Sequence, residues 1–197
     1  MCYFFSNFAE KFVIPIMSIV KIKDKSFKVS IPETEIKSRV KALAEQINKD
    51  LAGKNPLFLC VLNGSFIFAA DLLREITIPS NISFVKLASY QGTTSTGKVK
   101  KIIGLNEDLT GRTIVIIEDI VDTGHTMKQM LESLGTHNPA SVHICTLFVK
   151  PDKLEEPLDI DYFAFSIPDD FIVGYGLDYD QEGRGLKDIY TIIDNKG

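Results

Sequence analysis

Ile114–Thr126 reads IVIIEDIVDTGHT, and the order of residue types in it decides the fold class. Ile114–Ile117 is an unbroken β-branched run, the composition of a strand buried on both faces as in a parallel sheet covered by helices. Three acids follow, Glu118, Asp119 and Asp122, interrupted by Ile120 and Val121. Thr123-Gly124-His125-Thr126 then opens a segment in which Met127, Met130, Leu131 and Leu134 recur at helical spacing. The predicted order is strand, acidic loop, helix. In open parallel sheets ligands collect at the carboxyl ends of the strands, and a helix start beside a glycine turn offers unpaired backbone N–H groups to a phosphate. Thr123–Thr126 is therefore the predicted anion cradle. Glu118, Asp119 and Asp122 can accept hydrogen bonds from sugar hydroxyls, support Mg²⁺ or take a proton. A ribose phosphate suits both halves.

Outward from this stretch the same alternation continues. Ile36, Val40, Leu43, Ala44 and Ile47 form one face of a helix, and Leu57–Leu62 is a second wholly apolar strand, ended by Asn63-Gly64-Ser65. Phe66–Leu73 returns to helical spacing and Ile82–Leu87 reads as a strand. Gln91–Gly97 (QGTTSTG) is a small polar loop with no core contribution. Further strands are expected at Val142–Val149, Tyr162–Ile167 and Phe171–Val173. The series predicts an α/β domain with a mostly parallel central sheet flanked by helices.

Composition agrees with one compact domain. The chain has 197 residues, 45% hydrophobic and 24% charged, which suits an ordinary globular core and excludes disordered or collagen-like chains. Lys and Arg number 22 against 26 Asp and Glu, a net charge of −4, so there is no general electrostatic footprint for nucleic acid. Cys2, Cys60 and Cys145 are too few and too scattered for a disulfide framework or zinc knuckle, which points to a reducing cytoplasm. Residues 1–17 are rich in Phe and Ile, but their longest apolar run, Phe12–Met17, falls far short of the roughly 20 residues that span a bilayer. No basic segment precedes it as in a secretory signal. Residues 1–17 are expected to be an extension, with Met17 a plausible alternative start, and 18–197 the folded domain.

Neither GxxxxGK followed by Ser or Thr, nor GxGxxG after a strand, occurs, so P-loop and dinucleotide-binding readings lose their main support. An acidic pair after a buried strand also occurs in phospho-acceptor receiver domains, but there it belongs near the domain start and without a following glycine anion loop.

VIIEDIVDTGHT (115–126) resembles the signature of the type I phosphoribosyltransferases, enzymes that use 5-phosphoribosyl-1-pyrophosphate. VLNGSFIFAADLL (61–73), VKLASYQGTTSTGKVK (85–100), LFVKP (147–151) and FIVGYGLDYDQEGRGL (171–186) are similar to the hypoxanthine and hypoxanthine-guanine branch. The resemblance runs from about Ile22 to Ile193. It implies that fold, with a small purine-binding hood, and transfer of the phosphoribosyl group to hypoxanthine and guanine in purine salvage. It also implies Mg²⁺ as cofactor, small-molecule partners only, and assembly as a homodimer or homotetramer.

Residue by residue, Glu118 and Asp119 match the acids that hold the ribose hydroxyls and support the metal. Asp122, Thr123, Gly124, His125 and Thr126 match the 5′-phosphate loop. Asp122 also matches the aspartate facing nitrogen 7 of the purine as general base or proton relay. His125 occupies a tolerant position of that loop and is given no catalytic role. Lys150 matches the lysine that donates to the six-position oxygen, Phe171 the aromatic that stacks on the base, and Ile172 a backbone contact to its edge. Asp178 matches a metal-supporting acid in the purine site and Arg184 the arginine reaching pyrophosphate, while Ser89 and Tyr90 match a closing lid. One departure stands out. The family usually has Lys-Gly, at a non-proline cis peptide whose backbone N–H binds pyrophosphate, where this chain has Asn63-Gly64. A xanthine-preferring enzyme and an RNA-binding pyrimidine regulator built on the same fold are the competing readings; the acidic balance disfavours the second.

Overall fold

A computed structural model of the chain describes residues 19–88 and 101–193. The expected extension over 1–17, the lid residues Ser89 and Tyr90, and the 91–97 loop lie outside the described residues. The elements run β1 (Ile19–Ile22), β2 (Lys25–Ile31), α1 (Glu33–Asp50), β3 (Leu57–Leu62), α2 (Phe66–Glu75), β4 (Asn81–Ala88) and β5 (Lys101–Ile103). There follow β6 (Thr113–Val121), α3 (His125–Gly135), β7 (Ser141–Val149), β8 (Tyr162–Ser166), β9 (Ile172–Val173) and β10 (Ile189–Ile192).

The main sheet has the order β5-β4-β3-β6-β7-β8, with β4, β3, β6, β7 and β8 parallel and β5 antiparallel at the edge. Side-chain alternation splits its core in two. Phe58, Cys60, Val115, Ile117, Cys145 and Leu147 pack beneath α1 and α2, whereas Leu57, Leu59, Val61, Ile114, Ile116 and Ile144 pack with α3. The predicted helical face of α1, Ile36, Val40, Leu43, Ala44 and Ile47, is buried in full. Each of its four larger side chains contributes roughly 1.5–3 kcal/mol by leaving water. Both central thiols are buried, and desolvation pushes Cys60 up to about 12, so they behave as small hydrophobes.

A second sheet, β1-β2-β10-β9, is antiparallel throughout and closes around Ile22, Phe27, Val173 and Tyr190. It is the small hood that the sequence resemblance implied. Its link to α1 is a tertiary cap: the Glu33 N–H donates to Asp188 Oδ1 at 2.7 Å, where Pro32 supplies no side-chain cap of its own.

Strands β1, β2, β5 and β10 have no counterpart in the sequence reading, and several element ends shift by a residue or two, two of them at the site. β6 does not stop at Ile117 but continues through the acids to Val121, because β7 goes on pairing with it at Glu118↔Thr146, Ile120↔Phe148 and Val121↔Val149. Phe171 precedes β9 rather than opening it, since only Ile172 and Val173 find ladder partners on β10.

The start of α3 is also tied across the sheet edge. His125 places Nδ1 3.0 Å from Glu156 Oε1 and Nε2 2.8 Å from Glu155 Oε2, and Lys128 reaches Glu156 at 2.7 Å. Ionised carboxylates can only accept, so both ring nitrogens donate and the ring carries its proton. The Glu155 hydrogen bond, then that of Glu156, raises the His125 pKa. A raised folded value means that this stabilisation is complete below the unfolded value of about 6.5 and is lost as pH rises through the folded one. The gap in melting temperature between wild type and His125→Gln is accordingly expected to be wider near about pH 6 than near about pH 9. Thermal melts at both pH values check this, and an unchanged gap would mean that the ring is not held as an imidazolium.

Candidate active site

The chemistry-bearing residues gather at the carboxyl ends of β3, β6 and β7. Within β6 the two adjacent acids turn onto their own backbone: the Asp119 N–H donates to Glu118 Oε1 at 3.2 Å and the Ile120 N–H to Asp119 Oδ1 at 2.9 Å. Beyond Val121 the chain leaves the sheet, and Gly124, left-handed at φ +86°, is the N-cap of α3 with no side-chain cap bond. That conformation is costly for residues with a Cβ and open to glycine. The result is a cleft of about 190 Å³ whose lining includes Glu118, Asp122, Thr123, Gly124 and Thr126. The Glu155 N–H donates to the Thr123 carbonyl at 3.0 Å and fixes the loop from outside. The His125 ring points to Glu155 and Glu156, away from the cleft.

A second constellation lies at the end of β3. The Leu62–Asn63 peptide is cis, and Asn63 is exposed. Gly64 lies against β6 so closely that a Cβ there would stand 1.5 Å from Asp119 Oδ2. On its other side a Cβ on Gly176 would stand 2.1 Å from the Gly64 carbonyl oxygen. Arg184 donates from Nη1 to the Gly176 carbonyl at 2.8 Å and from Nη2 to Asp178 Oδ1 at 2.6 Å, while Asp178 Oδ2 accepts from the Gln181 N–H at 2.7 Å. Asp119, Gly64, Gly176, Arg184 and Asp178 thus form one continuous surface assembled from three separate segments.

The third group surrounds Lys150, just after β7. Its side chain is only 9% exposed, and Nζ donates to Asp169 Oδ1 at 2.9 Å and lies 3.9 Å from Asp122 Oδ1. Lys153 completes a four-membered network, with Nζ 3.1 Å from Asp122 Oδ2 and 3.0 Å from Asp169 Oδ1. The Lys150 hydrogen bond, followed by that of Lys153, lowers the Asp169 pKa, and Asp169 and then Asp122 raise that of Lys153. An ammonium this buried is tolerable only because it is paired.

Phe171 projects from the hood with 44% of its surface exposed. Its ring meets Phe27 at 6.2 Å and the edge of Tyr179 at 5.7 Å, with Lys25 Nζ 5.9 Å from its centroid. Tyr179 is held by its hydroxyl donating to Asp24 Oδ1 at 2.8 Å. The Phe171 carbonyl is engaged by the Ile192 N–H at 3.0 Å, and Ile172 is buried in the main core.

Of the residues singled out in the sequence, the structure brings Glu118, Asp122, Thr123, Gly124 and Thr126 into one cleft, Asp119, Gly64, Asp178 and Arg184 onto one surface, and Lys150 to 3.9 Å from Asp122. The sequence reading did not single out Lys153 and Asp169. Asp169 falls in the Ser166–Asp170 segment (SIPDD), which alone reads as a turn before Phe171, and no local signal shows that its carboxylate crosses to the end of β7.

The chain is similar to known proteins over most of its length. The phosphoribosyl transferase domain matches residues 32–180. A hypoxanthine phosphoribosyltransferase of Buchnera aphidicola is 45% identical over 174 residues, covering 87% of this chain and 98% of that protein. A hypoxanthine-guanine phosphoribosyltransferase of Mycobacterium tuberculosis is 39% identical over 171 residues, covering 83% of this chain and 85% of that protein. The crystal structure of a hypoxanthine phosphoribosyltransferase from Staphylococcus aureus superposes with a TM-score of 0.77 at 38% identity, covering 84% of this chain and 90% of that one. With the domain matched across most of its length and these relatives aligned almost end to end, the chain belongs to the phosphoribosyltransferase family, in its hypoxanthine and hypoxanthine-guanine branch.

Proposed function

We propose that the protein transfers the 5-phosphoribosyl group from its pyrophosphate to nitrogen 9 of hypoxanthine, and also of guanine, releasing pyrophosphate and the nucleoside monophosphate. The observation that carries the reading is Lys150: a nearly buried ammonium 3.9 Å from Asp122, whose own loop lines the cleft at the start of α3. Beside its bond to Asp169 that ammonium has donors left, and a base presenting an acceptor matches them where one presenting a donor does not.

In this reading the backbone at Thr123–Thr126 binds the 5′-phosphate, and Glu118 and Asp119 accept from the ribose hydroxyls. Gly64 and Arg184 face the pyrophosphate, and Asn63 contributes through its backbone. Phe171 stacks on the purine, with Ile172 beside its edge. Asp122 takes the proton from nitrogen 7 as the ribose bond forms, and Ser89 and Tyr90 close over the sugar to exclude water.

Phosphoribosyltransferases generally use Mg²⁺ with 5-phosphoribosyl-1-pyrophosphate. Among the described residues no group of three or more His, Cys, Asp or Glu side chains forms a protein cage for a metal. That donor set fits an ion carried mainly by substrate oxygens and water, with Glu118, Asp119 and Asp178 as carboxylate support. When bound, Mg²⁺ neutralises charge on the leaving pyrophosphate. A cytoplasmic location belongs to the same reading; among the described residues no helix is long and apolar enough to cross a membrane. So does assembly as a homodimer or homotetramer, for which the half-exposed Ile82 and Phe84 on one face of β4 offer apolar surface.

Asp122→Asn is expected to keep the fold and substrate binding while lowering turnover about 10²–10⁴-fold, the usual loss of a general base. Steady-state formation of inosine monophosphate measures it, and near-normal turnover would remove the proton-transfer role. Gly64→Ala places its methyl against a carboxylate that can swing away, so the fold should survive while Asp119 moves. The expected result is a melting temperature close to wild type with kcat/KM for 5-phosphoribosyl-1-pyrophosphate reduced up to about 10²-fold; wild-type kinetics would exclude the contact surface at Gly64 from the site.

Base choice follows from Lys150. Hypoxanthine and guanine present an oxygen at position six, whereas adenine presents an amino donor that would face another donor, at a cost of about 1–3 kcal/mol. Adenine is therefore expected to be a very poor substrate, and Lys150→Ala to lose far more efficiency with hypoxanthine than with adenine. Kinetics of both bases in both proteins decide this, and proportional losses would make Lys150 structural.

A further inference from the structure

A lysine stem has four rotatable bonds, so a nearly buried ammonium selects one base edge only if something fixes where it points. Here the partner within hydrogen-bond distance of Lys150 Nζ is Asp169 Oδ1 at 2.9 Å, with Asp122 Oδ1 farther off at 3.9 Å. Asp169 sits in a turn closed by the Asp170 N–H donating to the Pro168 carbonyl at 2.8 Å. The residue before that turn is stitched to the end of β7 by the Ile167 N–H donating to the Val149 carbonyl at 2.9 Å. One residue past the turn the chain reaches Phe171. A single carboxylate therefore spans the segment carrying the ammonium and the segment carrying the exposed aromatic.

We propose that Asp169 is a specificity-determining positioning residue, whose carboxylate sets the Lys150 ammonium at the level of the six-position oxygen of a base stacked on Phe171. The inference deepens the hypoxanthine reading and rests on it. Base binding need not break the Lys150–Asp169 bond, because an ammonium has three donors and can direct another to the purine. Lys153 shares Asp169 Oδ1 at 3.0 Å and also reaches Asp122 Oδ2 at 3.1 Å. It thereby keeps the carboxylate ionised and prevents it from collapsing onto Lys150 alone; the lowered Asp169 pKa agrees.

The test compares hypoxanthine with unsubstituted purine, which has the same rings and no six-position oxygen. In Asp169→Asn the KM for hypoxanthine is expected to rise about tenfold, the size of one lost charge-assisted hydrogen bond. The inhibition constant of purine and the KM for 5-phosphoribosyl-1-pyrophosphate should stay within about twofold of wild type. Asp169→Glu, which keeps the charge, should recover most of the hypoxanthine affinity. The Asp169 side chain is 56% exposed, so the substitution spares the core, and a thermal melt verifies the fold. A purely structural role would weaken both bases together. Equal losses, or no loss, in a folded Asp169→Asn protein overturn the proposal. Lys150→Ala in the same assay separates the two levels: if it loses hypoxanthine selectively while Asp169→Asn does not, only the positioning role fails, and if wild type forms no nucleotide from hypoxanthine, the parent reading fails.

Discussion

β6 is hydrogen-bonded in parallel to β3 on one side and β7 on the other, and its alternating residues feed two separate cores. That double constraint pins its register. A slip of one residue would turn Ile114 and Ile116 toward α1 and α2, turn Val115 and Ile117 toward α3, and reverse every side chain beyond them. With the apolar half of the strand locked, the acidic half has no freedom left. Glu118 enters the cleft beside the start of α3, and Asp119 meets Gly64 of the neighbouring strand end. The burial of four aliphatic side chains thus aims two carboxylates that share none of that core.

The same logic explains what the sequence made legible and what it did not. The apolar faces of α1 and α3 are readable because burial imposes a period: all five predicted positions of α1 and Met127, Met130 and Leu134 of α3 are buried, with Leu131 half-buried at the edge. The turn into α3 was readable because glycine after a strand and before a helix has a restricted set of physical uses. The β1–β2 hairpin was not read from the sequence, and it becomes a hood only through β10, more than 150 residues later. Strand length failed for a related reason. Nothing in Glu118-Asp119 announces a strand, and the ladder continues there because β7 supplies partners. The Lys150–Asp169 contact was unreadable, because two residues nineteen apart meet through the pairing of β7 with β8 rather than through any local pattern.

Charge inside the site follows a rule of alternation. Asp122, Lys153, Asp169 and Lys150 are linked in sequence by contacts from 2.9 to 3.1 Å, and the ring is closed by the 3.9 Å approach of Lys150 to Asp122. Formal charge sums to zero, so the arrangement avoids the cost of an isolated buried ion while leaving two ammonium groups and two carboxylates within reach of a ligand. Elsewhere Arg184 satisfies one oxygen of Asp178 while the Gln181 amide satisfies the other, a pairing that fixes the guanidinium plane by two bonds.

Asn63 can be understood in this frame. Its side chain is exposed, whereas the residue packed between Asp119 and Gly176 is Gly64, and the Asn63 carbonyl accepts the Phe66 N–H at 3.3 Å at the start of α2. The tight geometry at the end of β3 is a property of the backbone and of the missing Cβ at position 64. It does not depend on which polar side chain stands at 63. A change of side chain at 63 therefore alters what the rim presents and leaves the packed surface beneath it intact.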